Sequence, residues 1–177
     1  MFERKVLIVD DEEINREILG NIIESKYKVD FAKDGKEALE KINDRASGIS
    51  LVLLDIIMPE FSGFDVLARM KKEGTLSEIP VIVLTSEKDS EIESLRFGAA
   101  DFLTKPYDSP EVILARVRHS IELFENSRII NATEFDKLTT LYTPEFFFEY
   151  ASRFDKRFPG RVMDAVAINF TRFHLLN

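Results

Sequence analysis

Four short stretches set polar, chemically capable residues directly behind apolar runs. KVLIVDDEEIN (5–15) places Asp10, Asp11, Glu12 and Glu13 after Val6, Leu7, Ile8 and Val9. VLLDIIMP (52–59) carries Asp55, PVIVLT (80–85) ends in Thr85, and ADFLTKP (100–106) carries Lys105 ahead of Pro106. Carboxylates as close as Asp10 and Asp11 repel, so a compensating charge is expected beside them. Three carboxylates with no Cys or His nearby describe a site for a hard cation. A few oxygen ligands suit Mg²⁺, which keeps several waters and usually shares a phosphate with the protein. A lysine and a hydroxyl across the pocket offer a phosphoryl group a point charge and a hydrogen-bond donor. An aspartate can also be the nucleophile and form an acyl phosphate. Asp55, expected in the middle of the sheet, is best placed for that.

These residues meet only if the intervening elements bring them together. Residues 1–125 alternate between apolar strands and helical patterns. The strands read as VLIV (6–9), KVDFA (28–32), SLVLLDIIM (50–58), PVIVLT (80–85) and ADFLTKP (100–106). Between them lie a helix with Ile14, Ile18, Leu19, Ile22 and Ile23 on its apolar face, then GKEALEKI (35–42), GFDVLARMKK (63–72) and SEIESLRFGA (90–99), the last closed by Gly98. A long helix starts at Ser109, with Pro110 in its first turn. Five such βα units predict an α/β fold with a parallel sheet and helices on both faces. Ligands of such sheets sit beyond the carboxyl ends of the strands, near the topological switch point. Asp10, Asp11, Asp55, Thr85 and Lys105 all fall at those ends.

The 177 residues include no cysteine, which excludes disulfides and thiolate metal sites. The N-terminus lacks the apolar core of a secretory signal, and no run approaches the ~20 apolar residues that span a bilayer. A cytoplasmic location and no membrane partner are expected. The net charge of −8 disfavours nucleic-acid binding through a broad basic face. His119 and His174 have no neighbours in the chain that suggest metal binding or catalysis.

Residues 4 to about 124 resemble the receiver domain of bacterial two-component response regulators. The resemblance rests on DD at 10–11, LLDIIMPEFSG at 53–63, LTSEKD at 84–89 and GAADFLTKP at 98–106, in order and each at a strand end. It implies a flavodoxin-like, doubly wound (βα)₅ sheet. It further implies that Asp55 accepts phosphate from a histidine kinase, and that Mg²⁺ is held by Asp10, Asp11, Asp55 and the backbone carbonyl of Ile57. Thr85 falls at the switch hydroxyl, Lys105 at the phosphate-pairing lysine, and Phe102 at the switch aromatic. Ile57 and Glu87 fall where the family tunes phosphoryl lifetime. The implied role is a signalling switch rather than an enzyme. A non-catalytic scaffold and an Asp-nucleophile, Mg²⁺-dependent phosphohydrolase are the alternatives. The hydrolase needs a second aspartate where Ile57 stands, and a flavodoxin-like nucleotide binder needs a Gly/Ser/Thr-rich loop where DDEEINRE stands. Removing either Asp10 or Asp11 is expected to leave the unloaded fold unchanged in stability or more stable, through relief of repulsion.

Residues 125–136 read as a helical linker, and 137–177 as a second, truncated α+β segment. There, DKLTTLYTPEFFFEY carries Phe146, Phe147 and Tyr150 on a helix, and VMDAVAINF (162–170) reads as a strand. The segment resembles the opening of a GGDEF diguanylate cyclase domain. Asn169 and Thr171 stand where that family has metal-binding aspartates, and Asn177 matches a guanine-contacting position. The resemblance therefore implies a degenerate module without cyclase activity. A homodimer through the strand-five face and the C-terminal helix is a further expectation.

Overall fold

In the computed structural model, residues 4–44, 46–86, 88–107, 109–134 and 141–157 are described. The elements run β1 (Lys5–Val9), α1 (Glu13–Ile23), β2 (Lys28–Ala32), α2 (Gly35–Asn43), β3 (Ile49–Asp55), α3 (Gly63–Glu73), β4 (Val81–Thr85), α4 (Lys88–Phe97), β5 (Asp101–Thr104), α5 (Pro110–Glu134) and α6 (Pro144–Arg157). The strands form one parallel sheet in the order β2-β1-β3-β4-β5. This is the doubly wound, flavodoxin-like arrangement expected from the alternation, and it puts β3 at the centre.

Side chains alternate across each strand, so the sheet builds two cores. Leu7, Val9, Val52, Leu54, Val81 and Val83 face α2 and α3, where Ala38, Ile42, Val66, Leu67 and Met70 complete one cluster. Val6, Ile8, Leu51, Leu53, Ile82, Leu84 and Leu103 face α1 and α5, where Leu19, Ile23, Ile113, Val117 and Ile121 complete the other. A sheet covered on both faces explains why β3 and β4 are apolar without interruption.

Helix ends follow local chemistry. The Asp34 side chain accepts the Glu37 N–H at 2.8 Å to start α2. Ser62 and Asp65 form a reciprocal capping box on α3, which Gly74 closes at φ 82°. Gly98, at φ 106°, follows the end of α4 as expected.

Two expectations are corrected. β3 ends at Asp55 rather than Met58, because the chain turns there: Gly63 N–H donates to Ile56 O at 3.0 Å, and Ile57 is 55% exposed. The buried stripe of α1 is Leu19, Gly20 and Ile23, whereas Ile14 is 70% exposed and Ile18 lies out with it. Ile14 and Ile18, one helical turn apart, share a stripe that points away from the sheet.

The chain divides into two compact units, Met1–Arg128 and Ile129–Asn177. Within the second, the Tyr142 ring, just ahead of α6, and the Phe146 and Tyr150 rings on that helix follow one another, with centroids 4.9 and 6.3 Å apart. The strand expected over 162–170, with Asn169, Thr171 and Asn177, lies outside the described residues. Among the described residues, no helix is long and apolar enough to cross a membrane.

Candidate functional site

The strand register delivers the site. Val9 pairs with Leu54 across β1 and β3, so the next residues, Asp10 and Asp55, emerge side by side. Thr85 pairs with Thr104 across β4 and β5, which brings Lys105 to the same edge. Lys105 N–H then donates to Thr85 O at 2.7 Å, and the Lys105–Pro106 peptide is cis.

Carboxylate oxygens of Asp10, Asp11 and Asp55 lie within 4.8 Å of one another. Asp10 is 0% exposed and Asp55 5%, while Asp11 is open to solvent. The Lys105 ammonium bridges the two buried groups, 2.8 Å from Asp10 Oδ2 and 3.0 Å from Asp55 Oδ2. Asp10 Oδ1 accepts from the Glu12 N–H at 2.9 Å and from Asn15 Nδ2 at 3.1 Å. Asp55 Oδ1 accepts the Ile57 N–H at 3.3 Å. Arg16 Nη1 donates to the carbonyls of Asp10 at 2.7 Å and Asp11 at 3.1 Å, which fixes the turn into α1. The cavity above this edge holds about 620 Å³ and is lined by Asp11, Glu12, Asn15, Asp55, Ile57, Met58, Pro59, Ser86 and Lys105.

Burial raises the Asp55 carboxyl above its ordinary pKa, although the Lys105 ammonium pulls the other way. Burial alone would lower Lys105, but its hydrogen bonds to Asp10 and Asp55 more than reverse this and keep it charged. With all three carboxylates ionised, one ammonium leaves an excess of two negative charges. Oxygen donors with that charge fit a divalent hard cation.

The structure thus brings Asp10, Asp11, Asp55 and Lys105 together, as their positions in the chain suggest. Thr85 sits buried at the end of β4, while Ser86 lines the cavity. Ile57 lines it too. Phe102 is half-buried and packs against the core on the α2–α3 face, paired in register with Val83. Glu87 lies outside the described residues. One expectation is revised: Asp10 and Asp11 are not equivalent. The Asp10 carboxylate is held by three protein groups, Lys105, Asn15 and the Glu12 N–H, so removing it does more than relieve repulsion. Sequence reasoning missed Asn15 and Arg16. Asn15 carries a faint signal, since the first turn of a helix after a strand folds back on the strand end.

A central buried aspartate, an acidic partner pair and a bridging lysine at one sheet edge define a class of protein. The response regulator receiver domain family matches residues 6–118, and the chain belongs to it. Receiver domains bind Mg²⁺ in such an acidic pocket and typically take phosphate from histidine kinases. The chain is 39% identical over 114 residues to the two-component response regulator ORR3 of Oryza sativa subsp. indica, which covers 62% of this chain and 86% of that protein. Among solved structures, the receiver domain of the Francisella response regulator 1452 is 30% identical at a TM-score of 0.60, covering 67% of this chain and 96% of that one. A putative two-component system response regulator/GGDEF domain protein is 28% identical at a TM-score of 0.65, over 70% of this chain and 51% of that one.

Proposed function

We propose that this chain is a phosphorylation-controlled switch in which Asp55 accepts a phosphoryl group from a histidine kinase. The observation that carries the reading is the Lys105 bridge between Asp10 and Asp55, 2.8 and 3.0 Å long, inside a three-carboxylate cluster. An Asp55 oxygen forms the new O–P bond as the donor's N–P bond breaks, and the donor imidazole keeps the electron pair. Asp10, Asp11, Asp55 and the Ile57 carbonyl would hold Mg²⁺, which neutralises phosphoryl charge when bound. Lys105 then turns from the carboxylates to a phosphoryl oxygen. Thr85 is the switch hydroxyl, and Phe102 moves as packing adjusts. Phosphate biases this two-state change only by contacting one arrangement better than the other. Ile57 and Glu87 tune access to the acyl phosphate.

Residues 1–124 form the receiver in this reading, 125–136 a helical linker, and 137–177 the start of a GGDEF-like output module. The likeness to a response regulator/GGDEF protein supports this module. Asn169 and Thr171 supply neutral groups where metal-binding aspartates are needed, so the module acts without cyclase chemistry. The β5 edge and α5 form the face through which a homodimer assembles.

The test is phosphoryl uptake from a small phosphodonor with Mg²⁺, followed by mass spectrometry. One adduct on Asp55 is expected, lost in Asp55→Asn with the fold intact. An adduct on another residue overturns the assignment.

A further inference from the structure

Tyr107 lies two residues beyond Lys105, and its ring packs against the core cluster under α1 and α5. Its hydroxyl oxygen is out of solvent and, among the described residues, has no hydrogen-bond partner. Buried hydroxyls are nearly always satisfied, and an exception calls for a physical reason. Burial keeps this phenol neutral, so it can both donate and accept. The groups acting on it are those of the site: Lys105 foremost, by its charge and as a hydrogen-bonding neighbour short of good geometry, then the charges of Asp10 and Asp55. An ammonium has three N–H groups. Lys105 gives one to Asp10 and one to Asp55.

From this we infer that Tyr107 is a positioning residue for Lys105. Its hydroxyl accepts an ammonium N–H when the lysine leaves the carboxylates for a phosphoryl group on Asp55. The inference rests on the reading of Asp55 as acceptor. In the unloaded protein the two carboxylates fix the lysine, and the hydroxyl, although Lys105 is the hydrogen-bonding side chain beside it, has no well-formed hydrogen bond. In the loaded protein those carboxylates are engaged elsewhere, and a lysine tied only to a phosphoryl oxygen would be loosely aimed. A neutral acceptor on a ring anchored in the core sets its direction without competing for its charge.

The experiment compares wild type with Tyr107→Phe, which keeps the ring and removes the hydroxyl. Two quantities are read: denaturant stability without ligand, and the BeF₃⁻ concentration for half-saturation at fixed Mg²⁺, where BeF₃⁻ stands in for the phosphoryl group. Unloaded stability should be unchanged or higher, because an unsatisfied buried group is gone. Half-saturation should rise by about tenfold, the scale of one hydrogen bond to a charged group. Lower unloaded stability with an unaltered BeF₃⁻ response would make the hydroxyl merely structural and overturn the inference. Equal half-saturation, with wild type responding, overturns the Tyr107 role alone. A wild type that does not respond to BeF₃⁻ overturns the acceptor reading and this inference with it.

Discussion

Asp10 and Asp11 are adjacent in the chain and unlike in their surroundings. Asp10 is sealed under the sheet edge and accepts from Lys105, Asn15 and the Glu12 N–H, whereas Asp11 points to solvent. Asp10→Ala should therefore cost about 2 kcal/mol of stability by depriving part-buried donors, the Lys105 ammonium foremost, of a buried charged acceptor. Asp11→Ala should stay within about 0.5 kcal/mol of wild type, as surface changes do. Urea unfolding of both variants without metal checks this, and equal losses would contradict it. At this scale, the clustering of the site residues was legible in the sequence. Asp10, Asp11, Asp55 and Lys105 are the right types at strand ends, and they do meet. That Lys105 serves as counter-ion to both buried aspartates was not legible, because its partners are 95 and 50 residues away. Side-chain contacts across such separations leave no spacing pattern. Tyr107, only two residues from Lys105, went unnoticed for a different reason: an aromatic after a proline reads as core.

Among the elements, the loop from β3 to α3 does most to aim Asp55. α3 starts so close to the strand end that a Cβ on Gly63 would lie 2.3 Å from the Asp55 carbonyl oxygen and 2.8 Å from Ile56 Cα. Both obstacles are backbone, so nothing can rotate aside. Gly63→Ala should cost about 1–3 kcal/mol, the range for overpacking, and slow phosphoryl uptake by displacing Asp55. Paired measurements of unfolding midpoint and uptake rate test this. Full stability with normal uptake would mean that the loop adapts freely. Strand and helix types were readable throughout the receiver from alternation and capping residues. Boundaries were less so. β3 was read three residues too long because Ile56, Ile57 and Met58 continue an apolar run, yet the chain has already turned. The α1 face was misread because Ile14 and Ile18 satisfy helical spacing while facing outward.

Over the whole molecule, the sheet order makes β5 an edge strand, paired with β4 alone. The edge of a sheet is where local opening costs least. Lys105 follows β5 directly, and its amide donates to Thr85 O at 2.7 Å. Separating β5 from β4 therefore withdraws the ammonium from Asp10 and Asp55 in the same motion. The pocket's charge thus acts as a latch on the strand, and a change in that charge becomes a change in how often the strand opens. Asp55→Asn exchanges one charged acceptor of the ammonium for a neutral one, so backbone amides of β5 should exchange with deuterium about tenfold faster, while those of β1 and β3 keep their protection. Unchanged exchange along β5 in that variant would mean that the strand is held by its ladder alone.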